Sequence, residues 1–139
     1  MLRWVSQRGS TQPTSANIQV TSMERWLRAT LCTWQGLRTA AGSEISVRQE
    51  LIALVIAVPV SFFIVADGWK RCILIGVVLL VLVVELLNTA LEKLCDKLIP
   101  GPDVEIRRVK DMGSAAVGLS LLIAALAWLL AFAEFLALV

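Results

Sequence analysis

Long apolar segments dominate this chain and restrict it to folds that exist in a lipid bilayer. Of its 139 residues, 58% are hydrophobic, and the mean hydropathy of +0.77 is far outside the range of soluble domains. Apolar residues fill 51–66, most of 72–98 and 114–139. With its flanks, each segment is long enough to cross a ~30 Å hydrocarbon core as a helix. Because backbone groups in lipid must be satisfied within the segment, we predict an all-α membrane protein with three transmembrane helices.

Local breaks in this pattern predict where the helices begin and end. Residues 23–42 carry Trp and Leu between arginines at helical spacing, the pattern of an amphipathic helix at a membrane surface. Gly42–Ser43 predicts a break before the first span, and Ile99–Pro102 predicts the end of the second. We therefore expect a disordered polar tail at 1–22 and one membrane-embedded domain at 23–139, with a surface helix at about 23–42 and spans at about 46–66, 71–98 and 113–138.

Charge and cysteine content exclude several classes of function. The net charge is only +2 and the arginines are scattered, so the sequence predicts no nucleic-acid partner. There is no histidine, and the three cysteines lack CxxC spacing, which argues against a structural zinc site. Any metal would then be bound by oxygen ligands, and this favours Mg²⁺.

The distribution of lysine and arginine predicts the topology. Six of these residues precede the first span and five lie between Lys93 and Lys110, but only Lys70 and Arg71 lie in the first turn. None follows the third span. Since positive residues are retained on the cytoplasmic side, the N-terminus and the second loop are expected in the cytoplasm.

A polar stripe crosses the second apolar segment. Glu85 ends the apolar run 72–84, and Asn88 and Glu92 follow at offsets that bring all three within about 60° on one helical face. An acidic side chain at a membrane helix centre costs about 2.5–3.5 kcal/mol, so such residues usually mark an ion path, a proton relay or a reaction site. The stripe could also serve only to hold helices together.

Other charged residues are expected near the cytoplasmic end of this stripe. Glu44 begins the first span and Glu92 ends the second, so antiparallel helices would bring both carboxylates to a similar depth, beside Lys110. Such a set suits a magnesium-bound phosphate, although helix caps and interfacial anchors use the same residue types. Glu85 would then be the general base for a lipid hydroxyl. No Walker, GxGxxG or HRD-type motif is present, which excludes soluble kinase architectures.

Three blocks of the sequence resemble a known family. They are Arg48-Gln49-Glu50, then Glu85-x-x-Asn88-x-Ala90-x-Glu92 with Asp96, and then Lys110-Asp111-Met112-Gly113-Ser114-Ala115-Ala116-Val117. In this order the chain resembles the prokaryotic integral-membrane diacylglycerol kinases over about residues 23–135. A related branch of that family phosphorylates undecaprenol, and the first and third blocks look closer to the diacylglycerol branch.

The resemblance implies a homotrimer of three-span subunits that uses ATP and Mg²⁺ to convert diacylglycerol to phosphatidic acid. Its active sites would lie at the cytoplasmic edge, between neighbouring subunits. By position, Glu85 is the general base with Asn88 beside it, and Glu44 and Glu92 hold the metal. Nucleotide contacts fall to Arg25, Glu44, Glu92, Asp96, Lys110 and Asp111, with Asp111 orienting Lys110. The lipid site is lined by Arg38, Arg48, Gln49, Glu50, Glu85 and Ser114.

Four features depart from the family pattern. Cys32 replaces a tyrosine, Ser43 replaces an asparagine, and Arg107 stands where a glycine is usual. The loop at 100–108 also lacks a tyrosine-histidine pair. These departures concern the adenine and ribose contacts, whereas the metal and phosphate residues are retained.

Three alternative functions are compatible with parts of this pattern. An undecaprenol kinase would share the chemistry and differ only in the acceptor. A small proton-coupled transporter or channel subunit would use Glu85 as a relay, but 77–84 and the third span offer almost no polar steps. A non-catalytic assembly subunit would use Glu85 and Asn88 only to hold helices together, and it would tolerate Glu85→Gln.

Overall fold

The computed structural model describes residues 22–138, which form four helices and the short segments between them. These are α1 (Ser22–Ser43), α2 (Ile45–Ile64), α3 (Gly68–Leu98) and α4 (Val104–Leu138). Over this range there is no strand, and α2, α3 and α4 are each long and apolar enough to cross a membrane. The predicted all-α architecture with three such helices is confirmed. The predicted tail lies outside the described residues, except for Ser22 at the start of α1.

Two aspartates fix where α3 and α4 begin. The Asp67 carboxylate accepts hydrogen bonds from two backbone N–H groups in the first turn of α3, at 2.7 and 3.1 Å. Asp103 does the same for α4, with both bonds at 2.9 Å. Each aspartate thus satisfies N–H groups that have no partner inside their helix. Because of Asp103, α4 begins at Val104, well before the apolar segment that starts at Ser114.

A single residue, Glu44, separates α1 from α2. Its backbone is extended, with φ −117° and ψ 126°, and its side chain makes no capping hydrogen bond. The break therefore comes just after Gly42–Ser43, where the sequence pattern predicted it, and the structure includes both of those residues in α1. The reason is that the Glu44 N–H still donates to the Ala40 carbonyl at 2.8 Å, which continues the helical bonding to the end of α1. The Glu44 side chain is left to bind elsewhere.

The chain divides within α1, between Thr33 and Trp34, into two compact units. In the second unit α3 is the common partner of α2 and α4, which contact each other only slightly. The pair α3 and α4 is antiparallel, because Lys70 of α3 bonds to Glu134 near one end and Asp96 of α3 bonds to Lys110 near the other. These contacts set the register in which the polar stripe of α3 faces α4.

Few apolar side chains are buried within the described part of the subunit. The buried apolar residues are Val47, Ala57, Val65, Leu74, Val81, Leu82 and Cys95. Many large apolar side chains of the three long helices face outward, for example Phe63, which is 82% exposed, and Leu130, which is 71% exposed. A water-facing surface of this kind would aggregate, whereas lipid chains or neighbouring subunits can cover it.

Candidate active site

The polar stripe of α3 lies on the face that the helix packs inward. Glu85 is only 7% exposed and Thr89, one turn later, is 8% exposed. Asn88 Nδ2 donates to Glu92 Oε1 at 3.1 Å, an i,i+4 contact along the same face. The predicted alignment of Glu85, Asn88 and Glu92 is therefore present, and its deepest member is a buried carboxylate.

Gly113 of α4 makes room for Asn88. A Cβ atom at position 113 would overlap Asn88 Oδ1 and would lie 3.3 Å from Leu91 Cδ2. The absence of a side chain thus allows α4 to approach the polar face of α3 closely. Asn88 Oδ1 is buried and has no hydrogen-bond partner among the described residues. It is therefore a buried acceptor that the described chain leaves unsatisfied.

Glu50 of α2 brings a second carboxylate to Glu85. The two groups are close enough for electrostatic repulsion, and Glu50 Oε2 is buried with no hydrogen-bond partner in the described chain. Glu50 also lines a cavity of about 280 Å³ whose other walls come from α2, α3 and α4. A carboxylate that lines an apolar cavity, close to a second carboxylate, is costly for the fold unless a ligand with donor groups binds there.

The cavity beside Glu50 adjoins a larger apolar one. The second cavity, of about 450 Å³, shares Ala53, Val78 and Trp128 with the first and extends to Phe132. Trp128 is held in place because its Nε1 donates to the Leu74 carbonyl at 3.2 Å. The two cavities form an apolar groove that starts at Glu50 and is open to the surroundings of the helices.

Lys93 connects α3 to the junction between α1 and α2. Its Nζ lies 2.8 Å from Glu44 Oε1 and donates to Ser43 Oγ at 2.9 Å. The ammonium of Lys93 holds the pKa of the Glu44 carboxyl below its usual value. This contact brings Glu44 beside the turn of α3 that carries Glu92. No role was assigned to Lys93 from the sequence. The available signal was that Lys93 follows Glu92, which was predicted to lie at the same depth as Glu44.

Lys110 lies at the same end of α3 and α4. It bonds to Asp96 at 2.5 Å, and among the described residues this carboxylate, and not that of Asp111, is its partner. Lys110, Asp96 and Arg107 line a cavity of about 300 Å³ that is closed on one side by the loop at 101–103. A lysine oriented by a carboxylate at the edge of a cavity is suited to contact a phosphate.

The remaining predicted residues are less constrained within the described chain. Arg38, Arg48, Gln49, Asp111 and Ser114 are all exposed on their helices. Arg25 belongs to the other compact unit of α1. The structure of this subunit therefore brings together the acidic residues, Asn88 and two lysines, and leaves these side chains directed to its surface.

The carboxylates of Glu44 and Glu92 are suited to a metal ion that also binds a nucleotide. Within 22–138 there is no cluster of three or more acidic or cysteine side chains that could hold an ion alone. Glu44 and Glu92 provide two carboxylates at one level of the structure. Mg²⁺ is usually held by one or two carboxylates together with substrate phosphates, so these two residues fit a magnesium–nucleotide complex.

Comparison with known proteins identifies the family. The family model for prokaryotic diacylglycerol kinase matches residues 31–132. Diacylglycerol kinase of Escherichia coli K12 is 37% identical over 108 residues, which cover 78% of this chain and 88% of that protein. The Pseudomonas aeruginosa diacylglycerol kinase is 34% identical over the same shares, and that of Haemophilus influenzae is 32% identical over 79% of this chain and 93% of its own length.

The matched range begins within α1 and ends within α4, and it contains the positions of Glu50, Glu85, Asn88, Lys93 and Lys110. The apolar helices agree with a bacterial membrane protein of this kind. This chain belongs to the prokaryotic diacylglycerol kinase family and is a lipid kinase.

Proposed function

We propose that this protein phosphorylates diacylglycerol with ATP and releases phosphatidic acid, at the cytoplasmic face of a bacterial inner membrane. The observation that carries the proposal is the buried Glu85 carboxylate, which lies beside Glu50 at the start of an apolar groove. The relatives at 32–37% identity are all named diacylglycerol kinase, which supports this acceptor over undecaprenol.

The apolar groove suits the hydrocarbon part of the acceptor. Its two cavities of about 280 and 450 Å³ are lined almost entirely by side chains such as Val78, Ala53 and Trp128. An acyl chain in this groove would bring the glycerol hydroxyl towards Glu50 and Glu85. The exposed Arg38, Arg48, Gln49 and Ser114 would contact the remainder of the lipid headgroup region.

Glu85 would accept the proton of the attacking hydroxyl. A general base contributes about 10²–10⁴-fold when it lies within hydrogen-bond reach of the reacting group. Its burial keeps competing water away, and Asn88 would orient the hydroxyl through its unpartnered Oδ1. An acceptor oxygen at that position can receive a donor from the substrate, and the Asn88 amide stays fixed by Glu92.

The charged residues at the same end would bind ATP. Lys110, oriented by Asp96 and close to Asp111, would contact the phosphates. Glu44 and Glu92 would hold the Mg²⁺, which supplies neutralisation of the phosphate charge when it is bound. Lysine and carboxylate residues then position the nucleotide against the lipid hydroxyl, and positioning supplies much of the rate in phosphoryl transfer.

A homotrimer would complete this site. Many large apolar residues and several site residues are exposed on the subunit, and polar atoms of Glu50 and Asn88 lack partners within the described chain. Neighbouring subunits can cover the first group and supply partners to the second. The lysine and arginine distribution favours a topology with the N-terminus and the α3–α4 loop in the cytoplasm.

The deciding experiment is transfer of labelled γ-phosphate from ATP with Mg²⁺ to lipids in mixed micelles. Purified full-length protein should label diacylglycerol in preference to undecaprenol. Preferential labelling of undecaprenol would transfer the protein to the other branch with the same mechanism. Absence of labelling in a well-folded oligomer would overturn the kinase proposal and favour an assembly subunit, for which Glu85→Gln is harmless.

A further inference from the structure

Lys93 makes contacts that the lipid-kinase mechanism above does not use. Its ammonium bonds at once to the Glu44 carboxylate, at 2.8 Å, and to the Ser43 hydroxyl, at 2.9 Å. It therefore joins the third helix to the residue that separates the first two. Both side chains are open to solvent, with 52% of the Lys93 side chain and 32% of the Glu44 side chain exposed.

We propose that Lys93 is a positioning residue that holds the Glu44 carboxylate before magnesium binds and is exchanged for the ion when it does. The inference rests on the proposed role of Glu44 as a magnesium ligand. In the structure one of the two oxygens of this carboxylate, Glu44 Oε1, is occupied by the ammonium. Lys93 is thus an internal competitor of the metal, and it also fixes Glu44 at the level of Glu92.

Charge explains both parts of this role. The Lys93 ammonium neutralises the Glu44 carboxylate and holds it at the end of α3 that carries Glu92. A divalent ion on Glu44 would in turn repel the ammonium, so the two cannot share the carboxylate without cost. Because exposed ion pairs are weak, the ion can displace the lysine.

The measurement is the Mg²⁺ concentration that gives half of the maximal thermal stabilisation. It uses the full-length protein in detergent micelles, without nucleotide, so that the readout is binding of the ion alone. Loss of a competing exposed ion pair in Lys93→Gln should lower this concentration by about two- to fivefold. Lys93→Arg keeps the ion pair and should behave as the wild type.

Lys97 provides the matched control. It lies in the last turn of the same helix and is exposed, so Lys97→Gln removes the same charge without touching Glu44. An equal effect of Lys97→Gln would show that only the general surface charge matters, and this would overturn the proposal. In a Glu44→Gln background, Lys93→Gln should have no further effect, because the shared carboxylate is gone.

The outcomes separate this proposal from the kinase assignment. If Glu44→Gln weakens Mg²⁺ stabilisation but Lys93→Gln leaves it unchanged or weakens it, the exchange is wrong while Glu44 remains a ligand. If the wild type shows no stabilisation, or Glu44→Gln does not alter it, Glu44 does not bind the ion without nucleotide and the exchange is wrong. Phosphate transfer to diacylglycerol tests the kinase proposal independently of either result.

Discussion

Polar side chains cluster at both ends of the paired helices α3 and α4, but they bind different partners. At one end, which we call the cap end (residues 65–71 and 134), Asp67 accepts two backbone N–H groups and Lys70 pairs with Glu134. At the other, the carboxylate end (residues 43–50, 85–96 and 110–113), Glu50 Oε2 and Asn88 Oδ1 are buried without partners among the described residues.

The arginine of the cap end emphasises the contrast. Arg71 Nη2 donates to the Val65 carbonyl at 2.8 Å, and its guanidinium lies 4.0 Å from the centre of the Phe62 ring. Most polar groups there bind parts of the same subunit and thereby stabilise the fold, although Arg71 Nε is buried without a partner in the described chain. At the carboxylate end, carboxylate and amide oxygens remain for a ligand, so that end contributes less to stability and more to chemistry.

The largest expected effect is at Glu85. Glu85→Gln keeps the shape and hydrogen bonding of the side chain but removes a base, so lipid kinase activity should fall by about 10²–10⁴-fold. Glu134→Gln at the cap end is the matched control, because it removes one carboxylate from the Lys70 pair and should leave activity within about twofold. Initial rates of phosphate transfer measure both. Equal activity of the two variants would eliminate the distinction between the ends.

The next effect concerns the close approach of α4 to Asn88. In Gly113→Ala the added methyl group overlaps Asn88 Oδ1, and displacement of this side chain should lower kcat by about 10- to 100-fold. Gly118→Ala is the control, since a Cβ atom there meets nothing within 4 Å in the described chain. If both variants retain wild-type rates, Asn88 does not need its present position.

A moderate effect on stability is expected at Arg71. Arg71→Leu loses the bond to the Val65 carbonyl and the contact with the Phe62 ring, and its free energy of unfolding should fall by about 1–2 kcal/mol. Activity per folded molecule should be retained, because no part of the carboxylate end is touched. Denaturation in detergent and specific activity are measured for the wild type, for Arg71→Leu and for Arg71→Lys, which keeps the charge. A loss of specific activity would mean that the two ends are coupled.

The smallest effect is a change in the pH dependence of stability at Asp67. Hydrogen bonds from the backbone N–H groups of Lys70 and Trp69 lower the pKa of this carboxyl below its ordinary 3.8. The folded pKa is lower than the unfolded one, so the stabilisation is complete above the ordinary value and is lost as the pH falls through the folded pKa.

In Asp67→Asn the cap is retained but it does not titrate. When the pH is lowered from about 7 to about 3, the melting temperature of the wild type should therefore fall further than that of this variant. Thermal melts at both pH values provide the measurement. Identical slopes would show that Asp67 does not contribute to the acid sensitivity of the cap end.

Helical periodicity predicted the polar face of α3 well. The offsets between Glu85, Asn88 and Glu92 placed them on one side, and the structure has Glu85 buried and the other two hydrogen-bonded. The period of a helix is a local property, so the sequence is sufficient for this prediction. The start of α4 was harder to predict, because charged residues from 105 to 111 hide a helix that Asp103 begins.

Contacts between helices could not be predicted in this way. The pairing of Lys93 with Glu44 and of Lys110 with Asp96, in place of Asp111, depends on the rotation and register of helices that are distant in sequence. The groove beside Glu50 likewise depends on how Trp128 of α4 reaches α3. Such packing is set by the shapes of many side chains together and leaves no periodic signal.

Sequence patterns were sufficient to predict an all-helical membrane protein with three apolar spans, a carboxylate within one of them and a set of motifs resembling the lipid kinases. They could do so because bilayer thickness and the helical period act on every segment separately. The pairing of charges, the close approach of Gly113 to Asn88 and the position of Glu50 between Glu85 and an apolar groove became known only from the packed helices. These features arise where different helices meet, and their geometry exists only after packing.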